Sequence, residues 1–148
     1  MIWKPNVTVA AVIERRGSFL LVEEHTAKGP RFNQPAGHLE PGESLLAAVA
    51  RETLEETAHR FVPEALIGIY RWHHAGNGAT YLRFAFSGRA GRRDPKRPLD
   101  EGIIRAVWMT PQQIRAQADR HRSVLVQRCM DDYLSGTRYP LQILTDYH

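Results

Sequence analysis

A chain of 148 residues with 43% hydrophobic and 24% charged side chains has room for one domain with a full core, and no apolar run approaches the length of a membrane span. Its single cysteine, Cys129, excludes an internal disulfide, and a formal charge of +4 with a pI of about 9.6 favours anionic partners: nucleotides, nucleic acid or other phosphates. The amino terminus enters a strand pattern with no charged leader and apolar stretch, so a cytoplasmic location is expected.

Asn6 to Glu14 and Ser18 to Glu24 are apolar, β-branched runs parted by Arg15-Arg16-Gly17, which predicts a hairpin. Phe32 to Leu39 predicts a short extended segment, because Pro35 disfavours helix. Glu40-Pro41-Gly42 then leads into a helix from about Ser44, a plausible N-cap, to Thr57. Ala65 to His73 and Thr80 to Gly88 predict a second hairpin around Ala75-Gly76-Asn77-Gly78.

Gly88 to Pro98 carries Arg89, Arg92, Arg93, Lys96 and Arg97 without periodicity and reads as a loop. No aromatic residue interleaves these cations as single-strand binders require, so a solvated loop is expected and nucleic acid is not an expected partner. Ile103 to Met109 is a further short strand. Thr110-Pro111, a cap followed by proline at the first helical position, opens a helix to about Ala118, and Val124 to Leu134 predicts the last helix, stopped by Gly136. Cys129 lies in the apolar pattern of that helix, where an inert buried thiol is expected. Mixed strands with helices after the first hairpin and at the carboxyl end predict an α/β fold, a sheet covered by helices on both sides.

The helix from Ser44 carries Glu52, Glu55 and Glu56 within roughly 100° of arc, while Leu46, Ala50, Thr53, Leu54 and Thr57 gather on the far side and are expected to face a core. On the helix alone the acidic face reads as a solvated stripe, since Arg51 precedes Glu55 by four residues and Arg60 follows Glu56 by four. Glu52 and Glu56 are themselves an i,i+4 like-charge pair, however, which costs a few tenths of a kcal/mol in a bare helix. A hard divalent cation turns that cost into binding, and carboxylate oxygens suit Mg²⁺ or Mn²⁺.

The spacing ahead of the helix favours the metal. From Gly37, five residues lead to Glu43, seven more to Arg51-Glu52, and two more to Glu55-Glu56. This resembles the Nudix box, Gly-x5-Glu-x7-Arg-Glu-U-x-Glu-Glu-x-Gly-U, over residues 37–59. The pattern departs at Thr53, Ala58 and His59, none of which removes a carboxylate. The resemblance implies one Nudix domain over residues 1–148, an α/β/α sandwich with a mixed sheet, and a box folded as loop–helix–loop with its acidic face in the substrate cleft. It further implies a divalent-metal-dependent phosphohydrolase using Mg²⁺, with Mn²⁺ as an alternative.

Carried over residue by residue, the family pattern makes Glu52, Glu55, Glu56 and the Gly37 carbonyl the metal ligands, with Glu52 as first candidate general base and Glu55 as second. Arg51 would hold the carboxylates in register through charge-assisted hydrogen bonds, and Glu43 would brace the loop or reach the metal through water. Many members recruit a late-loop acid, and Glu101, in Leu99-Asp100-Glu101-Gly102, is the candidate here, set against a simple exposed turn acid.

Substrate contacts are sought outside the box. Arg83, beside Tyr81 on a strand, can meet phosphate through its fork, Gln34 can read a pyrimidine edge, and Trp72, His73, His74 and Trp3 can stack on a base, although strand aromatics more often serve packing. Lys4 to Ala10, Asn33 to Glu40, Leu82 to Phe84 and Ser135 to Leu141 look like a phosphatase subgroup of the family, over nearly the whole chain. That likeness implies nucleoside tri- and diphosphates and hydroxymethylpyrimidine pyrophosphate as substrates, with release of phosphate. The alternatives are a nucleotide pyrophosphohydrolase that releases a monophosphate and pyrophosphate, and a non-catalytic domain that senses nucleotides. The expected partner is a small phosphorylated substrate, and the assembly a monomer or homodimer.

Overall fold

In the computed structural model, which describes residues 1–147, the elements in chain order are β1 (Asn6–Val12), β2 (Glu14–Arg15), β3 (Ser18–Glu24), β4 (Arg31–Asn33), β5 (Ala36–His38), α1 (Leu45–Thr57), β6 (Phe61–His73), β7 (Thr80–Ala90), β8 (Ile103–Met109), α2 (Pro111–Ala116) and α3 (Leu125–Leu134), with short 3₁₀ turns at Ala118–Arg120 and Leu141–Ile143. One sheet is mixed, in the order β5-β1-β7-β6: β1 and β7 run parallel and the other neighbours antiparallel. The second sheet is antiparallel and built around β3. Because β8 pairs with β3 from Phe19 to Glu24, β2 and β4 share the opposite edge of β3.

Strand β1 explains how the layers form. Its residues are buried from Val9 onward on both faces, so the run is apolar without alternation. Val9, Ala11 and Ile13 join a core with Ala48 and Val49 of α1. Ala10 and Val12 join another with Leu125, Cys129 and Met130 of α3. Odd and even positions therefore serve opposite faces, and helices cover both, giving the α/β/α sandwich with a mixed sheet expected from the sequence.

The first predicted hairpin is shorter than expected. Both edges of β1 are taken by β5 and β7, so β1 has none free for β3; the chain changes sheet at Ile13, and only Glu14–Arg15 pairs back on Ser18–Phe19. Arg16 and Gly17 make that turn with φ of 52° and 81°, the signature of a primed hairpin turn. The extended segment around Pro35 divides into β4 and β5, which serve different sheets. Strand β6 starts earlier than predicted, at Phe61, and includes Pro63, which an edge strand with a bulge tolerates.

Helix α1 begins as predicted: the Ser44 hydroxyl accepts from the Ala47 N–H as N-cap. Its buried face differs from the predicted one. Ala48, Val49, Thr53, Glu56 and Thr57 are buried, whereas Leu46, Ala50 and Leu54 are half-buried. The helix packs against β1, β5 and β6 and so turns Glu56 inward. Helix α2 ends at Ala116, two residues short of the expected boundary, and continues as a 3₁₀ turn. No helix among the described residues is long and apolar enough to cross a membrane.

Candidate active site

Arg51 organises the acidic helix. Its Nε and Nη2 donate to the two carboxylate oxygens of Glu43 at 2.6 and 2.9 Å, a bidentate grip, and Nη2 also donates to the His38 carbonyl at 3.1 Å. Nη1 donates to Glu52 at 2.8 Å and to Glu55 at 3.4 Å, and lies 3.5 Å from Glu40. Glu43 in turn accepts from the Glu40 N–H, so the loop before the helix is tied to the helix through one guanidinium. This pairing with Arg51 holds the Glu43 carboxyl below the usual range and, chiefly through Glu43, raises Arg51 further above its already high value.

Gly37 accounts for the placement of Glu52. It pairs with Val9 in the sheet, and a methyl group on its Cα would overlap the carboxyl carbon and both oxygens of Glu52. Only glycine lets the Glu52 carboxylate rest this close to β5. Burial raises the Glu52 carboxyl above its ordinary value against the pull of Arg51, with Glu55 and Asp100 adding to the rise.

One oxygen from each of Glu52, Glu55 and Asp100 lies within 4.8 Å of the others. Asp100 arrives because the loop after β7 is laid across the carboxyl end of α1: its N–H donates to the Glu55 carbonyl and that of Asp94 to the Ala58 carbonyl, both at 2.9 Å. Of the turn that the sequence singled out, Asp100 and not its neighbour Glu101 joins the cluster, although both are exposed. Burial first, then the neighbouring charge of Glu55, raises Asp100.

The expected trio of Glu52, Glu55 and Glu56 is thus redistributed. Glu56 is drawn toward β5 by the Ala36 N–H, which donates to its Oε1 at 2.9 Å. Burial, with contributions from Glu24, Glu52 and Asp100, pushes Glu56 up to about 9. Raised carboxyl groups at buried Glu56, half-buried Glu52 and exposed Asp100 mark an excess of negative charge, and their hard oxygen donors fit a divalent cation.

Glu52 and Glu56 open onto a cleft of about 530 Å³. Thr8, Arg83 and Tyr81 form part of its floor on the sheet, with Ala36, Gly37 and His38 toward the helix side. Trp72 and Tyr81 stack at 5.8 Å between centroids with 26° between planes, and His74 meets Trp72 edge-on at 5.0 Å. The stack follows from register, since Trp72 and Tyr81 are direct partners across β6 and β7. Asn33, from the segment that resembles the phosphatase subgroup, and Asn77, from the second hairpin turn, also line the cleft, as do Glu24, Arg122 and Ser123, which no sequence motif marks.

Other candidates fall elsewhere. Gln34 is buried outside the cleft lining: its Nε2 donates to the Val126 carbonyl at 2.8 Å and its Oε1 accepts from Arg83 at 3.0 Å, so both ends of the amide are engaged and neither can read a base. Trp3 is 71% exposed and His73 is exposed; neither lines the cleft. The two departures at the end of the box are structural. Ala58 takes the left-handed conformation, φ 60° and ψ 20°, that ends α1, and His59 is buried with Nδ1 2.7 Å from the Gly91 carbonyl and its ring edge-on to Trp108.

Comparisons with known proteins agree with the fold. The family model for the NUDIX domain matches residues 3–129. The curated Phosphatase NudJ of Escherichia coli (strain K12) is 40% identical over 146 residues, covering 99% of this chain and 94% of that protein. Among solved structures, a NUDIX hydrolase from Nitrosomonas europaea superimposes with a TM-score of 0.95 at 57% identity, over 97% of this chain and 98% of its own. A MutT protein from Methanosarcina mazei Go1, at 23% identity, shares the fold with a TM-score of 0.74 over 92% of this chain and 99% of its own.

Proposed function

The chain belongs to the Nudix family and is a phosphohydrolase; from this we propose that it cleaves a phosphoanhydride bond in nucleoside tri- or diphosphates, or in a small pyrophosphate such as hydroxymethylpyrimidine pyrophosphate, and releases phosphate. One observation carries the reading: Glu52, whose carboxylate clusters with Glu55 and Asp100, lines together with Glu56 a cleft whose other residues include Arg83 and the Trp72–Tyr81 stack. Acids are thereby set for a cation, a guanidinium for phosphate and flat rings for a heterocycle. Phosphatase NudJ, by its name and its identity with this chain, supports phosphate as the product.

Glu52, Glu55, Glu56 and the Gly37 carbonyl would hold Mg²⁺ or Mn²⁺, with Asp100 as the late-loop acid, and the ion would supply Lewis-acid stabilisation of charge on the phosphoryl oxygens. Glu52 is the first candidate to take the proton of the attacking water, since burial brings its carboxyl closer to neutrality. Glu55, next to it, is the second. Arg51 fixes both and keeps Glu43 as the brace of the loop, so the acids do not reorganise as charge develops. Trp72 and Tyr81 position the organic part of the substrate.

Purified protein incubated with Mg²⁺, Mn²⁺ or chelator, against nucleotides and thiamine-type pyrophosphates with separate detection of phosphate and pyrophosphate, tests the reading. Metal-dependent phosphate release is the expected result. Pyrophosphate with a monophosphate as products would replace it with the pyrophosphohydrolase alternative, and ligand binding without turnover would leave a sensor.

A further inference from the structure

Arg83 is 6% exposed, and its hydrogen-bond partners are all uncharged: Nη1 donates to Gln34 Oε1 at 3.0 Å and Nη2 to Asn33 Oδ1 at 3.0 Å, while Cys129 Sγ lies 3.9 Å from Nη1. Burial pushes the Cys129 thiol up, so it stays neutral at physiological pH. Among the described residues no carboxylate lies within ion-pair distance of Arg83, whereas Arg51 serves four.

A guanidinium removed from water without a counter-charge is costly, and neutral oxygens orient it without cancelling its charge. The cradle is itself fixed. Gln34 is anchored to α3 through the Val126 carbonyl, and Asn33 ends β4 by pairing with Val22. Arg83 and Asn33 both reach the cleft lining. In the sheet, Arg83 pairs with Thr8, and Thr8 with His38, so Arg83 stands two strands, roughly 10 Å, from the β5 edge where Glu52 rests.

We propose that Asn33 and Gln34 are positioning residues that hold Arg83 through neutral oxygens and so leave its charge for an anionic group of the substrate, a phosphoryl oxygen bound in the cleft apart from the acidic cluster. The inference rests on the phosphohydrolase reading of the cleft and adds a specificity device to it. Substrates that carry negative charge on both sides of the scissile bond gain from Arg83, and those with charge only at the acidic cluster do not.

The competing role is a bracket that merely joins β4 to β7. Asn33→Asp separates the two, because among the described hydrogen bonds the Asn33 side chain uses only its Oδ1, and the new carboxylate pairs with Arg83 at nearly the same volume. A bracket keeps or raises its thermal midpoint and leaves ligand binding unmoved. A reserved charge is instead neutralised, so calorimetric affinity for inorganic pyrophosphate falls about tenfold or more, and KM rises by a similar factor while kcat falls less.

Direct repulsion of the ligand by the new carboxylate is checked in the Arg83→Gln background: acting through Arg83, Asn33→Asp adds little there, and an equal further loss overturns the proposal. Unchanged pyrophosphate affinity in a folded N33D, or no pyrophosphate binding by the wild-type protein, also overturns it. The calorimetric readout needs no turnover. An active wild-type enzyme whose affinity is indifferent to N33D therefore defeats this inference alone, whereas pyrophosphate binding by a protein that hydrolyses neither nucleotides nor thiamine-type pyrophosphates defeats the catalytic reading alone.

Discussion

The Gly37 Cα lies against the carboxyl group of Glu52, with no room between them for a side chain. Gly37→Ala is therefore expected to push Glu52 out of register with Glu55 and Asp100. A loss of about 10²-fold or more in kcat is expected, with a folding cost of roughly 1 kcal/mol or less, since the group that gives way is the tip of a flexible side chain. Steady-state kinetics and a urea titration on the same preparation check both figures.

Glu56 couples the site to pH. A carboxyl raised from an ordinary value to about 9 is more easily protonated in the folded than in the unfolded chain, so it favours folding at low pH and weakens it as pH climbs from about 4.5 to 9. In chelator, thermal midpoints of the wild-type protein are expected to fall across that window relative to Glu56→Gln, and Mg²⁺ to restore the wild-type protein at high pH. In the presence of Mg²⁺, Glu56→Gln and Glu52→Gln are expected to fold and to lose orders of magnitude in turnover. Parallel melting curves for the two proteins would overturn the pH argument, and retained activity in both variants the assignment of the metal site.

Arg51→Lys keeps a charge but cannot reproduce a grip on both Glu43 oxygens together with bonds to Glu52, Glu55 and the His38 carbonyl. Because Arg51 is partly exposed, the expected stability cost is modest, about 1–2 kcal/mol. The expected drop in kcat is larger, about 10²-fold, since the carboxylates lose their common anchor. A kcat within a few-fold of wild type would show that the loop holds its shape without that anchor.

Asp100 and Glu101 are adjacent, but only Asp100 reaches Glu52 and Glu55. Asp100→Asn is expected to weaken Mg²⁺ activation, with a higher metal concentration needed for half-maximal rate. Glu101→Gln is expected to leave the metal titration where it was. The reverse result would restore Glu101 to the role that the sequence pattern gave it.

Trp72→Ala removes one ring of a stacked pair without touching an acid. KM for substrates with a heterocycle is expected to rise about tenfold, and KM for those without one to change little. Equal changes for both classes would mean that the ring only packs the end of β6.

The legible part of this molecule was the part written in local spacing. The N-cap at Ser44, the acid positions of α1 and the apolar, two-faced β1 all follow from residues near one another in the chain. What local spacing did not carry was the choice of neighbour. Helical angle puts Glu56 with the outward acids, but an N–H from β5 draws it inward. Gln34 has the chemistry of a base reader, yet Arg83, 49 positions away, and Val126, 92 positions away, occupy it. Spacing points to Glu101, but the Asp100 N–H on the Glu55 carbonyl seats Asp100 in the cluster instead.

Strand β1 gives its odd residues to one apolar layer and Thr8 and its other even residues to the side that holds the cleft and Arg83. Inserting or deleting a single amino acid within it would exchange those assignments along the whole run, sending a hydroxyl into oil and a valine to the ligand. Indels in Asn6–Val12 should thus abolish folding and binding together; the same seven residues index both.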